Sequence, residues 1–172
     1  MALKVAINGF GRIGRNVARA IIRDHTPSIE LAAINDSAPI ETNMHLLKYD
    51  SVHGTLNDEI KKIDSDSFEI NKKQIKKFST KTPENIPWGD LNIDLVLECT
   101  GKFNDKKLSV KHIDAGAKKV LISAPANAVD KTAVFGVNHL ELKPEHTVIS
   151  NASCTTNALA PMMKALNDTI GI

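Results

Sequence analysis

Short apolar runs alternate with amphipathic stretches along most of the chain. Leu3-Lys4-Val5-Ala6-Ile7-Asn8 is largely apolar and reads as a buried strand, and Ile29 to Ile34 reads as a second one that ends at Asn35-Asp36. Between them, Gly9-Phe10-Gly11-Arg12-Ile13-Gly14 opens a helical pattern. Ile13, Val17 and Ile21 recur at i, i+4, i+8 on one face, Arg15, Arg19 and Arg23 take another, and Pro27 closes the segment. Strand, glycine-rich turn, helix and strand make one βαβ unit.

The middle of the chain is weaker in pattern. A short helix is expected around Asn43 to Tyr49. Phe68-Glu69-Ile70 and Gln74 to Phe78, separated by Asn71-Lys72-Lys73, predict a small hairpin. The alternation of strand and helix then resumes. Asp94 to Gly101 predicts a strand, and Asp105 to Ala117 a helix with Leu108, His112 and Ile113 on one face. Lys119 to Ser123, Thr132 to Val137 and Thr147 to Ser150 predict three further strands. Thr155 to Ile170 carries Leu159, Met162, Met163 and Leu166 at helical spacing. Alternating strands and helices predict an α/β fold of the Rossmann type, a doubly wound, mostly parallel sheet with a small hairpin insertion.

Composition narrows the class. The chain has 172 residues, 42% hydrophobic and 24% charged, which is ordinary globular usage and enough for one domain. Twenty-two basic against 20 acidic residues leave a net charge of +2, so no basic field points to nucleic acid. Seven lysines fall between Lys61 and Lys81, but Asp58, Glu59, Asp64, Asp66 and Glu69 are mixed among them, as on a solvated sheet face. No apolar run is long enough for a signal peptide or a transmembrane helix, and two cysteines suit a reducing compartment. A soluble, cytoplasmic chain without a membrane partner is expected.

Two motifs carry candidate chemistry. A G-x-G-x-x-G taken alone is weak evidence, but here a strand precedes it, a helix follows, and an acid ends the next strand. Gly9 permits the tight turn, Gly11 lets the backbone approach a pyrophosphate, and Gly14 allows close packing of helix on sheet. Asp36 lies 22 residues past Gly14, where a carboxylate can grip the adenosine ribose. That carboxylate would repel a 2′-phosphate, which favours NAD; small, polar Ser37 beside it leaves NADP use open. The competing reading is a ligand-free βα turn with a loop-capping aspartate. Thr100-Gly101 and Ser123-Ala124 are expected on the same sheet edge, as cofactor contacts or as ordinary loops. The second motif is Ser150-Asn151-Ala152-Ser153-Cys154-Thr155-Thr156-Asn157. It sets a thiol in the first turn of a helix, where the helix dipole favours the nucleophilic thiolate and the neighbouring hydroxyls can meet an anion. A buried cysteine beside a helix cap is the alternative. Cys99, in an apolar strand, is expected in the core, and no zinc-ligand spacing occurs, so no metal is expected.

With these motifs the chain resembles the phosphorylating glyceraldehyde-3-phosphate dehydrogenases. The likeness is carried by Ile7 to Arg15, His45 to Gly54, Glu98 to Phe103, Ile122 to Ala126, Gly136 to Asn138 and Ser150 to Asn157. The resemblance implies that Asn8, Gly9, Gly11, Arg12 and Ile13 contact NAD, with Asp36 on the ribose and Thr100, Phe103 and Ser123 near the nicotinamide end. It further implies Cys154 as the nucleophile, Ser153 and Thr155 meeting glyceraldehyde 3-phosphate or inorganic phosphate, and a homotetramer for the complete enzyme. Lys81 stands where many relatives carry arginine near the adenine end, and Ala158 replaces a second cysteine common in the family. The histidine that activates the thiol in the family falls beyond Ile172, and His139 and His146 cannot be given its role. Residues 1–153 are therefore expected to form the NAD-binding domain and 154–172 the first helix of a catalytic domain, most of which is absent, so that the chain binds NAD without efficient turnover. Two alternatives stay open: an erythrose-4-phosphate dehydrogenase, against which Asp36 counts, and a non-catalytic dinucleotide-binding module, against which Cys154 counts.

Overall fold

A computed structural model describes residues 2–23 and 28–172; the expected helix stop at Pro27 lies outside the described residues. The elements are β1 (Leu3–Asn8), α1 (Arg12–Arg23), β2 (Ile29–Asn35), α2 (Ile40–Lys48), β3 (Tyr49–Asp50), β4 (Gly54–Thr55), β5 (Ile60–Lys62), β6 (Ser67–Ile70) and β7 (Lys73–Phe78). They continue with β8 (Leu95–Glu98), α3 (Lys106–Asp114), β9 (Lys119–Ile122), β10 (Lys131–Thr132), β11 (Val148–Ser150) and α4 (Cys154–Ile170).

Nine strands form one sheet in the order β10-β11-β9-β8-β1-β2-β7-β6-β5. Pairing is parallel from β10 to β7 and antiparallel through β7, β6 and β5, so the expected parallel sheet with a hairpin insertion is present. The hairpin closes with Asn71 and Lys72 both at positive φ, the two-residue turn whose twist matches the strands. β1 lies mid-sheet, and Val5, Ala6 and Ile7 are buried, as a strand covered on both faces requires. Successive residues feed opposite layers. Ile7 and Ile34 join Phe10, Ala18, Leu31 and Leu47 in one core, while Ala6 and Ala33 join Trp88, Val96, Val120 and Ile122 in the other.

Three sequence expectations need correction. The buried residues of α1 are Gly14, Ala18 and Arg19, whereas Ile13 is 52% exposed. Close approach of α1 to the glycine turn favours its small residues as the packing surface. Arg19, taken as part of a charged face, is 3% exposed and donates to the carbonyls of Leu47 (2.7 Å) and Gly54 (2.6 Å). It thereby supplies donors to the end of α2 and to β4. In α3, Leu108 is exposed and Ser109 and His112 are buried, because the helix docks through its polar residues. The strand expected over Thr132 to Val137 ends at Thr132: the Asn138 side chain accepts from the Val134 N–H (2.7 Å) and turns the chain, leaving Phe135 78% exposed.

Candidate cofactor cleft and nucleophile

The register of the parallel strands aligns their carboxyl ends in a single row. Asn35 pairs with Asn8, Asn8 with Glu98, Glu98 with Ile122, and Ile122 with Ser150. The next residues continue the ladder: Gly9 N–H donates to Asn35 O, Cys99 N–H to Asn8 O, Ser123 N–H to Glu98 O and Asn151 N–H to Ile122 O. The glycine turn, Thr100, Ser123 and the loop into Cys154 therefore emerge on one edge. From β1 the chain moves to β2 on one side, and β8 flanks β1 on the other, so the strand order reverses there. Ligands of open α/β sheets lie in the crevice at such a point.

A cleft of about 310 Å³ opens at that position. Gly9, Gly11 and Asn8 form its floor, Asp36, Thr80 and Lys81 one side, and Thr100, Lys102 and Phe103 the other. Gly9 has φ +90°, and a Cβ there would lie 2.7 Å from Thr100 N; at Gly14 a Cβ would lie 2.2 Å from Gly9 O. A Cβ at Gly11 would meet nothing within 4 Å, so the space a pyrophosphate needs is open. The first turn of α1 contains no acidic residue to compete for its free N–H groups. Asp36 is held on the cleft by the N–H groups of Phe10 (2.9 Å) and Ala38 (2.8 Å) and by Asn43 Nδ2 (3.3 Å). A carboxylate fixed in this way can accept ribose hydroxyls without first being ordered. These features fit a dinucleotide.

The remaining candidates are placed differently. Arg12 turns to Asp50, with Nη1 and Oδ2 3.2 Å apart, and Ile13 stands exposed in the first turn of α1; neither lines the cleft. The N–H groups of His53 and Val52, with Arg12 beside them, bring the Asp50 carboxyl down to about 2. Asn8 turns its side chain inward, donating to Glu98 Oε2 (2.6 Å) and accepting from Asn35 (2.7 Å). Ser123 is half-buried at the end of β9, beside Cys99. Cys99, expected in the core, packs against it but also lines the cleft, and burial pushes its thiol up to about 11. Asn35 and Thr80 were not singled out in the sequence; their positions beside Asp36 and Lys81 were the available signal.

Cys154 is exposed at the first position of α4. Ser153 caps the helix, its Oγ accepting from Thr156 N–H at 2.9 Å and lying 2.9 Å from Thr155 Oγ1. The two nearest histidines in sequence are engaged elsewhere, His139 Nδ1 accepting from Gly136 N–H and His146 Nδ1 from Lys143 N–H. Among the described residues there is no cluster of side chains able to hold a metal ion, and no helix is long and apolar enough to cross a membrane.

The sequence profile of a family described as glyceraldehyde 3-phosphate dehydrogenase, NAD binding domain, matches residues 3–106. The chain is 52% identical over 172 residues to the glyceraldehyde-3-phosphate dehydrogenase of Xanthobacter flavus, an alignment covering 100% of this chain and 51% of that protein. It is 51% identical over 173 residues to the Geobacillus stearothermophilus enzyme of the same name, with the same coverage. Glyceraldehyde-3-phosphate dehydrogenase 2 of Nostoc sp. is 53% identical over 171 residues, which cover 99% of this chain and 51% of that protein. The chain spans about half the length of the curated relatives it matches.

Proposed function

Because the chain belongs to the glyceraldehyde-3-phosphate dehydrogenase family, we propose that it is the NAD-binding part, with the nucleophile, of an enzyme that oxidises glyceraldehyde 3-phosphate with inorganic phosphate to 1,3-bisphosphoglycerate. In this reading residues 1–153 are the cofactor domain and 154–172 begin the catalytic one. The complete protein is a cytoplasmic homotetramer. The observation that carries the proposal is the row of strand ends, which brings the glycine turn, Thr100, Ser123 and the Cys154 loop to one edge.

Gly9 and Gly11 admit the pyrophosphate, Asp36 holds the adenosine ribose, Lys81 faces the adenine end, and Thr100, Phe103 and Ser123 border the nicotinamide end. NAD, when bound, supplies the hydride acceptor. The Cys154 thiolate attacks the aldehyde carbon to form a thiohemiacetal. Loss of hydride from that carbon, with the hydroxyl proton passing to water, leaves a thioester on Sγ. Phosphate oxygen then attacks the thioester carbonyl, the carbon–sulfur bond breaks, and an acyl phosphate leaves with the thiolate restored. The Ser153 and Thr155 hydroxyls are suited to the substrate or inorganic phosphate.

Three measurements test this. Calorimetric titration of the 172-residue chain should show NAD binding, and glyceraldehyde 3-phosphate oxidation by the same chain should be very slow, since no base adjoins Cys154 among the described residues. Iodoacetamide at pH 8 should modify Cys154 and spare Cys99, whose thiol at about 11 holds only about a thousandth of its population as thiolate. Equal labelling of the two cysteines, or no NAD binding, would remove the reading.

A further inference from the structure

Beneath the cleft lies a chain of buried polar groups that the reaction does not consume. Asn35 is tied to Thr80 twice, its Nδ2 donating to Thr80 O (2.9 Å) and its Oδ1 accepting from Thr80 N–H (3.0 Å). The same Nδ2 donates to Asn8 Oδ1 (2.7 Å), and Asn8 Nδ2 donates to Glu98 Oε2 (2.6 Å). The other oxygen of Glu98 accepts from Thr100 N–H (2.7 Å) and Thr100 Oγ1 (2.5 Å). Thr80 belongs to one side of the cleft and Thr100 to the other, so one hydrogen-bonded path crosses three strand ends and joins both walls.

A branch enters from α3. His112, fully buried like Glu98, lies with Nε2 3.1 Å from Glu98 Oε2, while Trp88 Nε1 donates to its Nδ1 at 3.0 Å. An indole N–H can only donate, so Nδ1 accepts and the ring proton sits on Nε2, where it points at Glu98. His112 also meets the Phe103 ring edge-on, at 6.2 Å between centroids, and Ser109 Oγ donates to Phe103 O (2.6 Å). The wall from Thr100 to Phe103 is thus fixed by Glu98 at one end and by α3 at the other.

We infer that Glu98 and His112 are positioning residues for cofactor binding: the buried carboxylate, oriented by His112, holds the Thr100 wall at the distance from the Asp36 wall that a dinucleotide requires. Neither side chain lines the cleft, so both act through Asn8, Thr100 and Phe103. Every neighbour of the Glu98 carboxylate donates to it. Glu98→Gln therefore aims an amide N–H at another donor whichever way the amide turns, with little change in volume. The inference rests on the assignment of NAD to this cleft.

The protein's single tryptophan, Trp88, reports on the branch directly, because its indole N–H gives one resonance. NAD titration of the wild-type chain should move that resonance although Trp88 is not a cleft residue. Glu98→Gln should weaken NAD binding about tenfold or more by calorimetry and move the resonance even without ligand. His112→Phe, which keeps a ring against Phe103, should weaken binding about fivefold, and His112→Gln, which can both donate and accept, should recover most of that loss. Circular dichroism checks that each variant is folded. Wild-type binding with an unmoved indole resonance, or NAD affinity within twofold of wild type in folded Glu98→Gln, overturns this inference alone. No NAD binding by the wild-type chain overturns the cofactor assignment as well.

Discussion

In the cleft at the ends of β1, β2 and β8, the walls are set by partners drawn from several strands: Asp36 by the glycine turn, Thr100 by Glu98, Asn8 by its two neighbours. Helix α4 stands at the same sheet edge under different conditions. None of its residues is buried, and Leu159, Met162, Met163 and Leu166 stand exposed on it. The cleft side of the edge holds its own geometry, whereas Cys154 rides on an element fixed chiefly at its first turn, by Ser153 and by Asn157 Nδ2 donating to the carbonyls of Asn151 and Ser153. The cleft and the Cys154 helix are therefore held separately in this chain, and substitutions on the two sides should have unequal consequences.

The largest effect is expected at Gly14. A methyl there would lie 2.2 Å from Gly9 O, so α1 must move off the turn. Gly14→Ala should cost about 3 kcal/mol in urea denaturation and abolish NAD binding. Gly11→Ala separates the two effects, since its methyl meets nothing of the protein. Stability should stay within about 0.5 kcal/mol of wild type while NAD affinity falls about tenfold. If both variants lose stability alike, the cleft floor is not a rigid element.

Next comes Arg19. Arg19→Met keeps much of the volume but leaves the carbonyls of Leu47 and Gly54 without their donors. A loss of about 2 kcal/mol is expected, with NAD affinity little changed. This residue also shows where sequence and structure part. The alternation of strands and helices, the hairpin and the glycine turn were legible, because period and turn chemistry are local signals. So was the cysteine at a helix start. The buried face of α1 was not: its i, i+4 arginine spacing looks solvent-facing, and only the carbonyls brought in from Leu47 and Gly54 make a buried guanidinium favourable. Likewise His112 was placed on the packed face of α3, but its partners Glu98 and Trp88 come from loops and strands that no periodicity relates. The Thr132 to Val137 run failed for the opposite reason: an apolar stretch was overruled by one side chain, Asn138.

A smaller effect is expected from Asp50, where Arg12 and two backbone N–H groups tie the start of α1 to the β3–β4 turn. Its folded pKa, about 2, lies below the ordinary 3.8. Stability from this group is therefore whole above 3.8 and lost as pH falls through about 2. Asp50→Asn should flatten that part of the stability–pH curve and leave NAD binding at neutral pH unchanged.

The smallest expected change in stability is also the sharpest test of the comparison. Met162→Gln and Leu159→Gln replace exposed apolar side chains on α4 at positions with no buried neighbour on that helix. Each should alter stability by less than about 0.5 kcal/mol, whereas Ile122→Ala in the sheet core should cost about 3 kcal/mol. Since these side chains do not hold Cys154 through packing, its alkylation rate should also be unchanged. A slower rate in the α4 variants would mean that the apolar face steadies the thiol after all, and the division between a self-supporting cleft and a loosely held Cys154 would have to be redrawn.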